Sequence, residues 1–199
     1  MEASGLGALL DELQLPFVDL NVDAVDAVKL RLNTTGLNEL SIGQTVTRAD
    51  LLVSVAKLKT HHWAGATLTM KNLFGTVPGA VYGWPKNPLH WAGIDASIIE
   101  LWSSLQPGFG IIDGIVGMDG DGPIMGDPRE TGALIMGENL PAVDATAARL
   151  MGIRPTALRY LEQATWLGGT TAALRIETVG DVIAPDDYRV LAHLKGIKS

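Results

Sequence analysis

The chain has no cysteine. That excludes disulfides, a thiolate nucleophile, cysteine-held zinc and an iron–sulfur cluster ligated by this sequence itself. Positive charge is scarce as well. Fifteen Lys and Arg stand against 22 Asp and Glu, a formal net charge of −7. So acidic a chain lacks the electrostatic footprint of a general nucleic-acid binder. Long apolar runs are also missing. Mean hydropathy is high, +0.21, yet no stretch approaches the ~18 apolar residues that a membrane-spanning helix needs. Leu51-Leu52-Val53, for instance, is broken at Ser54. The opening MEASGLGALL has neither the basic start nor the apolar core of a secretory signal. These absences lead us to expect a cytoplasmic protein with neither nucleic acid nor membrane as a partner.

What is present is apolar and punctuated. Hydrophobic residues make up 47% of 199, enough to bury one core without staples. Three apolar runs read as buried strands: DLLVSVAKL, FGIIDGIVGM and ALIMG. Shorter strands are expected at residues 16–21, 27–32 and 173–180. Helices are expected over 6–13, 66–74, 139–151 and 155–167, with a last helical turn or two over 186–194. One amphipathic helix is expected to open at Asn87-Pro88 and carry Trp91, Ile94, Ile98, Trp102 and Leu105. Strands separated by helices imply crossovers. The expectation is one α/β domain over 1–199, three-layered, with a mostly parallel sheet flanked by helices.

Against the acidic background, VSVAKLKTHHWAGATLTMKNLFG holds Lys57, Lys59, His61, His62 and Lys71 and no carboxylate. On a strand, positions 57, 59 and 61 share a side. They stand at the carboxyl end, where open α/β sheets bind ligands. A helix starting near Gly65 would add free N–H groups, which favour an anion. The cluster therefore reads as a site for a small anionic molecule, a phosphate or a carboxylate, with His61 as acid or base. A solvated strand edge would have the same composition.

A second constellation is IIDGIVGMDGDGPIMGDPR. Asp113 closes an apolar strand, while Asp119 and Asp121 follow in a glycine-rich loop. Such carboxylates suit proton transfer or Mg²⁺, and Asp119 and Asp121 are the candidate metal ligands. Turn chemistry alone also accounts for them. The calcium-loop pattern fails, because Pro123 takes a ligand position. Arg129 is placed to pair with a carboxylate or clamp an anion. Asp144, in the first turn of its helix, reads as dipole compensation. Trp63, Trp84 and Trp91 flank a Gly/Pro loop and read as core or lid packing.

KLKTHHWAGATLTMKNLFG, IIDGIVGMDGDGPIMGDPR and GENLPAVDATAARLMGI together resemble the family known as domain of unknown function 362. The likeness runs over roughly residues 51–169, leaving 1–50 and 170–199 as flanks. It implies that Lys57, Lys59, His61, Lys71, Asn72, Asp113, Gly122, Pro123, Arg129 and Asp144 occupy motif positions, with Asn72, Gly122 and Asp144 joining the ligand-binding set. It also implies an association with ferredoxin-type iron–sulfur modules, which here would be a partner chain. Two features depart from the family pattern. Asp119 stands where similar proteins often carry Glu, and the family usually has further β/α units before the part that resembles residue 1 onward. Two readings follow. One is an enzyme or catalytic subunit that binds a small anion through the Lys/His cluster beside Asp113. The other is a non-catalytic module that docks a ferredoxin-like electron-transfer partner.

Overall fold

The computed structural model describes residues 5–83, 87–181 and 183–198. Helix α1 (Leu6–Glu12) leads to strands β1 (Val25–Lys29) and β2 (Glu39–Gly43), which form an antiparallel ribbon. After α2 (Gln44–Thr47) come β3 (Val53–His61), β4 (Gly65–Thr67) and the single turn α3 (Thr69–Asn72). A 3-10 turn over Leu73–Thr76, then α4 (Gly79–Tyr82), α5 (Asn87–Trp91) and α6 (Ile94–Leu105), complete the first half. Strands β5 (Phe109–Asp119) and β6 (Asp127–Gly137) follow, then α7 (Leu140–Leu150) and α8 (Arg159–Trp166).

The main sheet has the order β4-β3-β5-β6. The chain is α/β as expected, but the strand directions differ from expectation. Only β3 and β5 run parallel; β3–β4 and β5–β6 are antiparallel. The reason is connection length. Residues 62–64 and 120–126 are too short for a crossover, so each joins a hairpin. Only the long helical passage between β3 and β5 allows the strand to return parallel.

Strand β3 alternates from Val53 to Thr60. Ser54, Ala56, Leu58 and Thr60 are buried, while Val53, Val55 and Lys57 are exposed. The inner row faces α3 and α7, and Leu58 and Ile112 are fully enclosed with Met70, Leu140 and Ala147. Burying each large apolar side chain contributes about 1.5–3 kcal/mol. Helix α6 ties in the β1–β2 ribbon. Its buried Glu100 accepts hydrogen bonds from the backbone N–H groups of Leu32 and Thr34 at 2.9 and 2.6 Å. Sheet, helices and ribbon make three tiers, and no described helix covers the outer face of the main sheet.

Several elements depart from expectation. Residues 66–74 do not form one helix: Ala66 and Thr67 pair with Thr60 and Lys59, and the helix begins only at Thr69. The long amphipathic helix is two, divided at Gly93, whose φ of 100° suits glycine. Trp91 therefore lies on α5 and is largely exposed. Trp84, expected in the lid, lies outside the described residues. Residues 16–21 and 173–180 form no strand. Residues 186–191 run extended and are followed by a 3-10 turn over Ala192–Ile197.

Candidate functional site

Because β3 and β5 are parallel neighbours, Lys57 lies beside Asp113, with Nζ 2.8 Å from Oδ2. The Lys57 hydrogen bond holds the Asp113 carboxyl below its ordinary range. Both side chains lie on the open outer face and are spent on each other. Lys59, one step on, is half-buried, and its Nζ lies 3.5 Å from the Pro123 carbonyl. Burial lowers its pKa.

His61 ends the strand and turns inward. Its Nδ1 accepts from the backbone N–H groups of Trp63 and Ala64, each at 3.1 Å. A side chain that bonds its own following backbone in this way fixes the turn. It also fixes the tautomer, because Nδ1 is the acceptor and the proton sits on Nε2. Burial, then Lys71, His62, His90 and Lys59, push the His61 pKa down to about 3. At neutral pH His61 is therefore an uncharged hydrogen-bond donor. His62 is tied by Nδ1 to the Gly122 carbonyl at 2.9 Å, and that same oxygen accepts the His62 backbone N–H.

Lys71, on α3, is nearly buried, and its Nζ lies 3.7 Å above the Phe74 ring. The His90 ring packs on Phe74 and on Trp63, with centroids 5.8 and 5.5 Å away. Lys59, His61, His62, Lys71 and His90 are thus drawn together. The clefts lined by β6 and α7, by α6 and α7, and by α2 and α6 lie elsewhere.

The helix N-terminus expected to receive an anion is already capped by a side-chain carboxyl. Asp144 of α7 accepts the Thr69 backbone N–H at 2.8 Å, the Thr69 hydroxyl at 2.5 Å and the Met70 N–H at 3.1 Å. It is fully buried, and burial pushes its pKa up to about 7 against the pull of those donors. Its place is beneath the site, where it anchors the turn that presents Lys71. Asn72 has a similar role, donating to Ser54 Oγ and the Val55 carbonyl. Gly122 carries no side chain because a Cβ there would clash with the Thr60 carbonyl.

Asp119 and Arg129 belong to a different structure. Asp119 is buried, and both its oxygens accept from the Arg189 guanidinium at 2.7 and 3.1 Å, with Arg129 at 3.5 Å. Burial raises its pKa, but the Arg189 hydrogen bonds outweigh that and hold the carboxyl below the ordinary range. Arg129 also forks onto Asp186. The Tyr188 ring is buried, and its hydroxyl is 2.5 Å from Thr131 Oγ1. His193 donates from Nε2 to the His62 carbonyl at 2.8 Å. Residues 186–198 therefore form a strap fastened across the β5–β6 hairpin. Asp121 stands exposed in the hairpin loop. With Asp119 held by guanidinium groups and no cluster of three His, Asp or Glu suited to a metal among the described residues, this loop does not fit Mg²⁺.

Sequence reasoning placed Lys59, His61, His62 and Lys71 in one stretch. It missed His90, whose only signal was its position in the helix after the Gly/Pro loop. It also missed Arg189, whose partners lie 62 and 70 residues away in the chain.

The family model for a domain of unknown function, DUF362, matches residues 1–149. The chain belongs to that family. The DUF362 match contains the whole basic cluster and the hairpin, and it ends before the strap. A thylakoid-associated protein of Synechocystis sp. is 29% identical over 175 residues, covering 84% of this chain and 51% of the relative. The chain thus spans about half the length of that relative. No solved structure matches. No described helix is long and apolar enough to cross a membrane.

Proposed function

We propose that this DUF362 chain binds a small molecule bearing a phosphate or carboxylate at the cluster formed by Lys59, His61, His62, Lys71 and His90. One observation carries the reading: the side chains of Lys71, His62, His90 and Lys59 all bear on the His61 imidazole. In a chain of net charge −7, such a local concentration of basic groups focuses a field that draws a small anion. Lys59 and Lys71 supply charge. The Nε2–H of His61 supplies a directed, uncharged donor. In this reading Lys57 leaves the ligand-binding set and Asp113 its catalytic role, because each neutralises the other.

The arrangement also gives an enzymatic role a route. Burial is the larger cause of the low His61 pKa, but an anion beside it would oppose the Lys71 and Lys59 charges and raise it from about 3. The ligand would arm the imidazole as a general acid by binding next to it. The competing role, docking a ferredoxin-like iron–sulfur partner, would use the exposed Trp63, Trp91 and Trp166 of this acidic chain. The cytoplasmic placement belongs to this reading.

The test is calorimetric titration with inorganic phosphate and small carboxylates on the natural chain and on a Lys59→Ala/Lys71→Ala variant. Binding should weaken at least about tenfold, the equivalent of roughly 1.4 kcal/mol. Equal affinity in the two proteins would sink the site.

A further inference from the structure

The outer face of the main sheet is bare and apolar. Strand pairing sets its pattern: Val55, Ile111 and Met136 form one row, and Lys57, Asp113 and Leu134 the next. Val55 is 59% exposed, Ile115 56%, Leu134 53% and Met136 55%, with Val53 and Val116 also open. A mostly antiparallel sheet can leave one face to water, but that face then alternates to polar side chains, and this one is largely apolar. The six side chains present on the order of 500 Å² of apolar surface, at the upper end for a lone monomer. Lys57, Asp113 and Glu130 at the same face bring the total toward the ~800 Å² per partner that a specific interface buries.

We propose that this face is a two-fold interface with a second copy of the same chain. The charge pattern selects that occupant. At the centre of the apolar patch one cation and one anion, Lys57 and Asp113, lie side by side at 2.8 Å. A two-fold axis beside them sets Lys57 of one copy against Asp113 of the other, and the reverse, so the patch is its own complement. A partner of single charge sign would leave one member of the pair facing its like. The surrounding rows of Val, Ile, Leu and Met, rotated by the axis, pack apolar against apolar and exclude water from the four charges. The face adjoins the basic cluster through Lys59, so the second copy would border the anion site without filling it.

Sedimentation equilibrium on the 199-residue chain tests this. A dimer is expected at about 100 μM. Val55→Lys with Met136→Lys should give a monomer with unchanged far-UV circular dichroism, because both positions are exposed. Lys57→Asp and Asp113→Lys, each alone, should weaken the dimer by about tenfold or more, and an equimolar mixture of the two should restore it as a heterodimer. A monomeric natural chain overturns the proposal and leaves the face to another occupant, such as a segment corresponding to the unmatched half of the Synechocystis relative. A dimer indifferent to the Val55/Met136 substitutions overturns it too, as does failure of the charge-reversed mixture to pair.

Discussion

His61 is held neutral by two independent restraints: enclosure and four basic neighbours. The consequence for stability has a definite sign. Its folded pKa, about 3, lies below the ordinary 6.5, so its contribution is present above pH 6.5 and lost as pH falls toward 3. Asn at this position preserves an acceptor for the Trp63 and Ala64 N–H groups but cannot titrate. His61→Asn should therefore remove a slope of roughly 1.4 kcal/mol per pH unit between pH 6 and 4, read from urea unfolding across pH. Asp144 works in the opposite direction. Its pKa is raised from 3.8 to about 7, so its contribution is complete below 3.8 and lost as pH rises through 7. Asp144→Ala strands three buried donors and should cost about 3 kcal/mol, measured in the same unfolding series. Residue types were legible here; roles were less so. Nothing local to Asp144 reveals that Thr69, 75 residues earlier, donates to it. Dipole compensation within its own helix was the natural reading, and the true beneficiary is the N-terminus of a different helix.

At the level of elements, the strap is held by ion pairs and one aromatic plug rather than by a backbone ladder. Gly117 leaves room for the Tyr188 hydroxyl, and Tyr188 in turn covers the hairpin. Tyr188→Ala should cost about 3–5 kcal/mol in chemical denaturation. Acid should loosen the same element. The Asp119 and Asp186 carboxyls are held below 3.8, so their contributions are full above that value and lost as pH falls through the depressed ones. Hydrogen exchange should show the hairpin and residues 186–198 losing protection together as pH falls below 3.8. Periodicity found β3, β5 and α7, because each meets its partners through a repeating face. It failed for the strap, whose stabilising contacts are single side chains reaching more than 55 residues along the chain. It failed again at residues 66–74, where an apolar pattern compatible with a helix yields to two residues of strand pairing with β3.

The whole molecule sets a small basic island in an acidic body. Mass action then makes stability a reporter of occupancy. Saturating phosphate at 100 times its Kd should add about 2.7 kcal/mol to unfolding, and added salt should erode the gain by screening. Thermal unfolding in phosphate against matched chloride checks both. The α/β class was legible from strands alternating with helices, but strand direction was not, since it depends on which loops are too short to cross over. The strap has one more consequence, for how the protein is made. Arg189 emerges from the ribosome 70 residues after Asp119, yet that carboxylate and the hairpin wait for it. During synthesis the sheet must persist with Asp119 short of its main partner until the strap arrives.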